Sequence, residues 1–343
     1  MPFLPFLHRA ASRENLTATD AQRAMELILA GHATTAQIAG FLVALRMKGE
    51  TPDEILGFAR AMRERSTKVL PLLNGEALLD TCGTGGDGQN TFNISTVAAF
   101  VVAGAGVKVA KHGNRSLSSL CGSADIFEGL GVNIALTPEQ TAASIREVGI
   151  GFLYAPAMHP AMKHAQAARL ELKMRTVFNL LGPLTNPAGA TVQLVGAPSA
   201  AAAELMAEAL GALGLQRGFV VHGAGGLDEI STTGESLVLE IQRGAIAHHT
   251  LTPKDFGVKT AKLADLRGGD RDTNLAIARA ILNGERGPKR DVVLVNASAA
   301  LVAAGVATGF LHGVELAAES IDSGRALEKV EHMARFSQMA SID

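Results

Sequence analysis

Apolar residues recur at Ile38, Phe41, Leu42 and Leu45, the i, i+3, i+4, i+7 spacing of an amphipathic helix, with Gly49 behind them as a stop. Thr51-Pro52-Asp53-Glu54 reads as the next helix start: a cap, a proline in the first turn and a Glu three residues past the cap. The first seventy residues are helical on this pattern, and 71–75 reads as a linker. The texture then changes to short β-rich runs separated by glycine turns and alanine-rich helices. ALLDTC (77–82), VKVAKHG (107–113), VQLVGA (192–197), GFVVHG (218–223), LVLEI (237–241) and DVVLVN (291–296) are the strand candidates. Helical stretches such as 200–213 lie between them, so parallel βαβ units are expected. The longest apolar run, 292–311, is interrupted by Asn296 and Ser298. It falls short of the ~20 apolar residues of a membrane span, and reads as a buried strand feeding a helix capped by Ser or Asn. Residues 159–175 are helical and more polar, and are expected to return to the N-terminal helices.

Length changes this picture little: 343 residues correspond to about two domains. Charge changes it more. With 31 basic and 33 acidic residues the net charge is -2, which removes the broad basic surface of a nucleic-acid binder. One Tyr and no Trp leave no base-stacking platform. Hydrophobic residues at 47% and charged residues at 19% supply a sizeable core and argue for a soluble, folded chain. Two cysteines build neither a disulfide framework nor a zinc site unaided, and a reducing, cytoplasmic setting is expected. The apolar N-terminus is broken by Pro2 and Pro5 and lacks a basic segment, so no signal peptide is expected. The 37 glycines are the compositional surplus to explain.

Several of them fall in Asp80-Thr81-Cys82-Gly83-Thr84-Gly85-Gly86-Asp87-Gly88, at the end of the first strand candidate. Glycines so spaced let several N–H groups converge on one point, a nest for phosphate oxygens in front of a helix N-terminus. The loop has neither the Walker ending nor the dinucleotide fingerprint, and a mere tight connection is the plain alternative. Thr91-Phe92-Asn93-Ile94-Ser95-Thr96 follows, with more hydroxyls and amides than one cap needs and a Ser hydroxyl suited to a hard cation. The next strand ends in Lys111-His112-Gly113-Asn114-Arg115-Ser116, with Ser118, Ser119, Gly122 and Ser123 beyond, where α/β sheets bind ligands. Lys111 and Arg115 are expected to supply local positive charge there. Gly225-Gly226-Leu227-Asp228-Glu229 places two adjacent carboxylates in one turn. Either they are solvated or something positive, Mg²⁺ by its hardness, holds them. His159 and Arg169 taken singly read as structural, as do Cys82 and Cys121, while His248 and His249 read as surface. Residues 177–187 form a turn-rich apolar loop fit to wall a pocket.

Taken in order, GTGGDGQNTFNIST, KHGNRSLSSLCGSAD, the HPA segment, FNLLGPLTNPA and GLDEIS resemble the anthranilate phosphoribosyltransferases, along most of the chain. The resemblance implies an α/β fold: a small all-helical N-terminal domain plus a larger α/β domain with a central, mostly parallel sheet flanked by helices. Their expected extents are 1–72 with about 160–187, and 75–158 with 188–343. It implies a homodimer formed through the helical part, Mg²⁺ as cofactor, and anthranilate and 5-phosphoribosyl 1-pyrophosphate as substrates, with neither nucleic acid nor membrane as partner. Gly83, Gly86, Asp87, Thr91, Asn93, Ser95, Thr96, Lys111 and Ser123 are implied to hold phosphoribosyl pyrophosphate. Gly83, His112, Asn114, His159, Arg169 and Gly182 are implied for anthranilate, with Arg169 facing its carboxylate. Ser95, Asp228 and Glu229 are the implied metal ligands, and Lys111, Asp87 and Arg169 the implied catalytic residues.

The implied reaction displaces pyrophosphate from ribose C1 by an aromatic amine. Electrostatic stabilisation of the leaving group and positioning of the amine would carry it, and no nucleophile–base constellation is needed. A pyrimidine nucleoside phosphorylase is the competing enzyme, but would need neither the Asp228-Glu229 pair nor Arg169. A nucleic-acid-binding relative would have a basic groove and a degraded glycine loop. A dinucleotide-dependent dehydrogenase lacks its fingerprint here.

Overall fold

The computed structural model describes residues 2–85, 88–116 and 120–340. Four helices open the chain: α1 (Leu4–Ala11), α2 (Ala18–Leu29), α3 (Thr35–Lys48) and α4 (Pro52–Arg65). The expected start of α4 is present, with Thr51 Oγ1 accepting from Glu54 N at 3.3 Å and Glu54 Oε2 accepting from Thr51 N at 2.9 Å. Phe3, Phe41 and Phe58 stack edge-on at 5.3 and 6.1 Å and join the chain's start, α3 and α4 in one apolar cluster.

The α/β part then runs β1 (Leu78–Asp80), α5 (Ile94–Gly104), β2 (Lys108–Gly113), α6 (Ser123–Gly129), α7 (Pro138–Glu147) and β3 (Ile150–Tyr154). Three short helices follow, α8 (Ala155–Met158), α9 (Lys163–Leu172) and α10 (Phe178–Leu181), and then β4 (Val192–Gly196), α11 (Ala200–Ala212), β5 (Arg217–Gly223), β6 (Ser236–Gln242) and β7 (Ala245–Leu251). Four helices close the described chain: α12 (Arg271–Leu282), α13 (Pro288–Ala303), α14 (Phe310–Asp322) and α15 (Arg325–Met339).

The seven strands form one sheet in the order β3-β2-β1-β4-β5-β6-β7. The first five in that order are parallel, with Leu79 opposite both Val109 and Val192, and the last two antiparallel. Alternation sorts the strand residues between the two faces. Val192, Leu194, Phe219 and Val221 belong to the cluster of α5 and α12–α15, whereas Val195 and Val220 join the cluster of α11 and the N-terminal helices. Ala165, Ala168, Phe178 and Leu181, from α9 and α10, are buried in that second cluster, and α9 packs against α3 and α2. Among the described residues no helix is long and apolar enough to cross a membrane.

The segment 291–296 corrects the expectation of a strand: it lies inside α13, a 16-residue helix. From Val292 to Ala303 every residue is buried. A helix covered all round carries no polar stripe, so its sequence looks like that of a buried strand. Pro288 in its first turn was the sign of a helix start. Asn296 and Ser298 are not caps either. Asn296 bonds both backbone groups of Ile230, at 2.9 and 3.0 Å, and Ser298 Oγ donates to the Phe310 carbonyl at 2.6 Å. Strands β3 and β7 were not among those expected.

Candidate active site

Chain order in the sheet reverses between β1 and β4, the switch point where an open α/β sheet leaves a crevice beyond its strand ends. The glycine loop leaves β1 at that point and crosses to β4, with Thr84 N donating to Gly196 O at 3.0 Å. The turn 225–229 arrives from β5. Gly225 and Gly226 adopt left-handed φ of 80° and 82°, which turns the chain back so that the acidic pair meets the loop. Gly196 is needed there too, because a Cβ on it would stand 1.6 Å from the Asp228 carbonyl oxygen.

Both carboxylates are engaged with the predicted anion cradle. Asp228 Oδ2 accepts from Gly85 N at 2.6 Å and from Thr84 Oγ1 at 3.4 Å. Glu229 Oε1 accepts from Ser95 N at 3.1 Å, in the first turn of α5, and Thr81 Oγ1 donates to Ser95 O at 3.0 Å. These contacts decide against a solvated acidic turn, since both residues are half-buried. Asn296, by holding Ile230, anchors the turn from the core. Gly86 and Asp87, and Ser118 and Ser119, lie outside the described residues.

At the head of α5, Asn93 is the N-cap residue but makes no cap bond with its side chain. Its amide instead reaches Cys121 O and Asn274. Thr96 Oγ1 is buried and finds no partner among the described residues. Thr91 bridges to Arg267 at the loop's far end.

The end of β2 is buried. Lys111 is 2% exposed, and its ammonium donates to Thr81 O at 3.0 Å, beneath the start of the loop. The Asp80 carboxylate accepts from His112 N at 3.2 Å and from Asn186 Nδ2 at 2.7 Å. Burial pushes its pKa up to about 6, with Lys111 and Asn186 pulling the other way. His112 Nδ1 lies 3.2 Å from the Gly182 carbonyl. A carbonyl only accepts, so Nδ1 carries the proton and Nε2 is left with its lone pair. The rings of His112 and His159 are 5.2 Å apart, and neither Nε2 has a partner among the described residues. Burial drives His112 down to about 3 and His159 down to about 4, so both are neutral at pH 7.

Ser123 Oγ donates to Asn114 O at 3.3 Å, tying the head of α6 to the residue after β2. Arg115 does not supply the open positive charge expected of it: its guanidinium is paired with Glu128 through two nitrogens and with Asp125 at 2.8 Å. Arg169, on α9, stands 5.2 Å from the Phe178 ring centre, over the helix that ends at Gly182, and burial pulls its pKa down. Contacts thus link His112 to His159 and Gly182, and Arg169 to the helix that ends at Gly182. His248 and His249 sit on exposed β7 beside Glu204 and Glu240, as a surface position predicts.

Sequence reasoning missed Asp80 as a junction, Asn186, Asn274, Asn296 and Arg175, whose guanidinium donates to Gly85 O at 2.7 Å. For Arg175, its place directly before the 177–187 loop was the one available signal.

For a metal, the Asp228 and Glu229 carboxylates stand at the loop, Asp228 on Gly85 N and Glu229 on Ser95 N, and hard oxygen donors of this kind suit Mg²⁺. A second group, Asp80, Cys82 and His112, brings three ligand atoms within 4.8 Å. It does not suit Mg²⁺: the thiol is pushed up to about 12 by burial and Asp80, and the carboxylate already serves Asn186 and His112.

The family pattern described as glycosyl transferase family, a/b domain, matches residues 75–327, and that of the helical bundle domain of the same family matches residues 4–66. Fold and site thus define a two-part glycosyl transferase. An anthranilate phosphoribosyltransferase of Solibacter usitatus is 62% identical over 98% of this chain and 99% of its own. One from Moorella thermoacetica is 55% identical over 95% and 96%. The crystal structure of the Thermus thermophilus enzyme superposes with a TM-score of 0.91 at 45% identity, covering 97% of this chain and 99% of that one. The Saccharomyces cerevisiae enzyme in complex with phosphoribosyl pyrophosphate and Mg gives 0.90 at 30% identity, with 98% of each chain covered. This chain belongs to the anthranilate phosphoribosyltransferase family.

Proposed function

We propose that this chain transfers the phosphoribosyl group of 5-phosphoribosyl 1-pyrophosphate to the amine of anthranilate, releasing pyrophosphate, as a step of tryptophan biosynthesis. The observation that carries this is the engagement of Asp228 and Glu229 with Gly85 N and Ser95 N. It sets two carboxylates, donors suited to a hard cation, against the glycine loop, which supports a magnesium-bound pyrophosphate over a phosphate-dependent phosphorylase, whose reaction does not need that pair.

In the reaction the bond from C1 to the pyrophosphate oxygen breaks with its electron pair leaving on oxygen. The anthranilate nitrogen forms the new bond to C1 and sheds its surplus proton. Ser95, Asp228 and Glu229 would hold Mg²⁺, which when bound supplies positive charge to the departing pyrophosphate. The backbone of the glycine loop, Gly83, Gly86 and Asp87 among its residues, cradles the phosphates with Thr91, Asn93, Ser95, Thr96 and Ser123. Lys111 adds its charge from beneath the loop. Arg169 binds the anthranilate carboxylate, with the Phe178 ring beside its guanidinium. His112, neutral with a free Nε2 lone pair, accepts an N–H of the amine and aims the nitrogen lone pair at C1. His159, Asn114 and Gly182 complete that wall.

The division into 1–72 with about 160–187 and 75–158 with 188–343 assigns the aromatic substrate to the helical side and the phosphates to the α/β side. Exposed Leu4, Met47, Leu170 and Met174, on and beside α1, α3 and α9, support a homodimer formed through the helices. A near-neutral chain whose Cys82 and Cys121 are not joined in a disulfide suits the cytoplasm.

The test is direct. Pure protein with anthranilate, phosphoribosyl pyrophosphate and Mg²⁺ should consume anthranilate, read as loss of its fluorescence, and should not do so without the pyrophosphate substrate. No loss, with phosphate-dependent cleavage of pyrimidine nucleosides instead, contradicts the assignment.

A further inference from the structure

The side chain of Asn93 lies in a run of hydrogen bonds that ends on peptide groups at both sides. Gly269 N donates to Asn274 Oδ1 at 2.9 Å, which identifies the other end of that amide as its NH₂. The NH₂ donates to Gly269 O at 3.2 Å and to Asn93 Oδ1 at 3.3 Å. Asn93 Nδ2 donates in turn to Cys121 O at 3.2 Å. A peptide N–H only donates and a peptide carbonyl only accepts, so the polarity of both amides is set from the ends of the run. Turning the Asn93 amide over would oppose its oxygen to the Cys121 carbonyl and its NH₂ to the Asn274 NH₂.

Asn274, on α12, is 3% exposed and has both N–H groups committed within the protein. Asn93, 181 positions away in sequence, is half-buried and retains one uncommitted N–H. We infer that Asn274 is a positioning residue of the phosphoribosyl pyrophosphate site: it locks Asn93 so that a donor, not an acceptor, is available to a phosphate or ribose oxygen. The inference rests on the assignment of Asn93 to that site. Asn274 itself has no remaining N–H for substrate and acts through its neighbour.

Asn274→Asp preserves size and the bond from Gly269 N, but confronts Asn93 Oδ1 with a second acceptor. Titration calorimetry of phosphoribosyl pyrophosphate with Mg²⁺, without anthranilate, should show affinity reduced about tenfold, on the scale of one hydrogen bond. The KM for anthranilate should stay within twofold. If Asn274 acts through Asn93, adding Asn274→Asp to Asn93→Ala should cause no further loss. Losses that multiply overturn the lock, while a wild-type protein that does not bind phosphoribosyl pyrophosphate overturns the site itself. The wild type gives a second readout should Asn274→Asp fail to fold. The two Nδ2 protons of Asn93, assigned by their disappearance in Asn93→Ala, should be resolved in NMR spectra, and substrate should shift one far more than the other. Equal shifts of the two protons on substrate binding contradict the lock.

Discussion

Arg169 lies with its guanidinium 5.2 Å from the Phe178 ring centre, on the turn whose Gly182 carbonyl meets His112. Partly desolvated beside that ring, it has the chemistry to bind a planar carboxylate. Arg169→Ala should raise the KM for anthranilate by the worth of a charge-assisted bond, about 1.5–3 kcal/mol, and leave that for phosphoribosyl pyrophosphate nearly unchanged. Steady-state kinetics check this, and equal losses for both substrates count against the role. The two histidines beside it have a consequence for stability. Their folded pKa values, about 3 and about 4, lie below the ordinary 6.5, so on acidification the unfolded chain takes up protons that the folded chain refuses. Asp80 works oppositely: its folded value of about 6 exceeds 3.8, and it gains a proton in the folded state first. Between pH 6 and 4 the histidines outnumber it, and stability falls. Urea unfolding of the wild type should lose, relative to His112→Gln/His159→Gln, about 2–3 kcal/mol per pH unit on acidification through that window. Parallel profiles would mean that the rings are protonated in the fold. None of this burial was legible in the sequence, where His159 and Arg169 looked structural, because the neighbours that desolvate them come from distant segments.

At the scale of elements, the strand-end loops were legible because glycines, hydroxyls and charges cluster locally in the chain. Residues whose partners lie far off were not. Asn296 shows why: within an apolar run it read as an interruption, yet it sits mid-helix in α13 and holds Ile230, 66 positions earlier, by both backbone groups. The same uniform burial that hid the helix conceals the anchor of the acidic turn. Asn296→Ala should strand two buried backbone groups at about 1–3 kcal/mol each and loosen Asp228 and Glu229. The expected result is a lower unfolding midpoint together with a raised Mg²⁺ requirement for turnover, measured by thermal melts and metal titration of activity. A change in midpoint alone would restrict Asn296 to stability.

Across the whole molecule, a net charge of -2 and a polyanion site are compatible because the site's attraction is local and mostly backbone. The sheet's switch point brings the loop after β1, the head of α5, the end of β4 and the turn after β5 to one crevice. That convergence was foreseeable from the βαβ pattern, though the strand order was not, since it depends on which edges pair. In the proposed reaction Asp228 and Glu229, set against the loop, would hold the metal that accompanies pyrophosphate. Calorimetric titration of phosphoribosyl pyrophosphate into Asp228→Asn/Glu229→Gln and wild type, with and without Mg²⁺, tests it most directly. The wild type should bind in a Mg²⁺-dependent manner, and a folded variant should lose that dependence. Equal Mg²⁺-dependent binding by both proteins would contradict it.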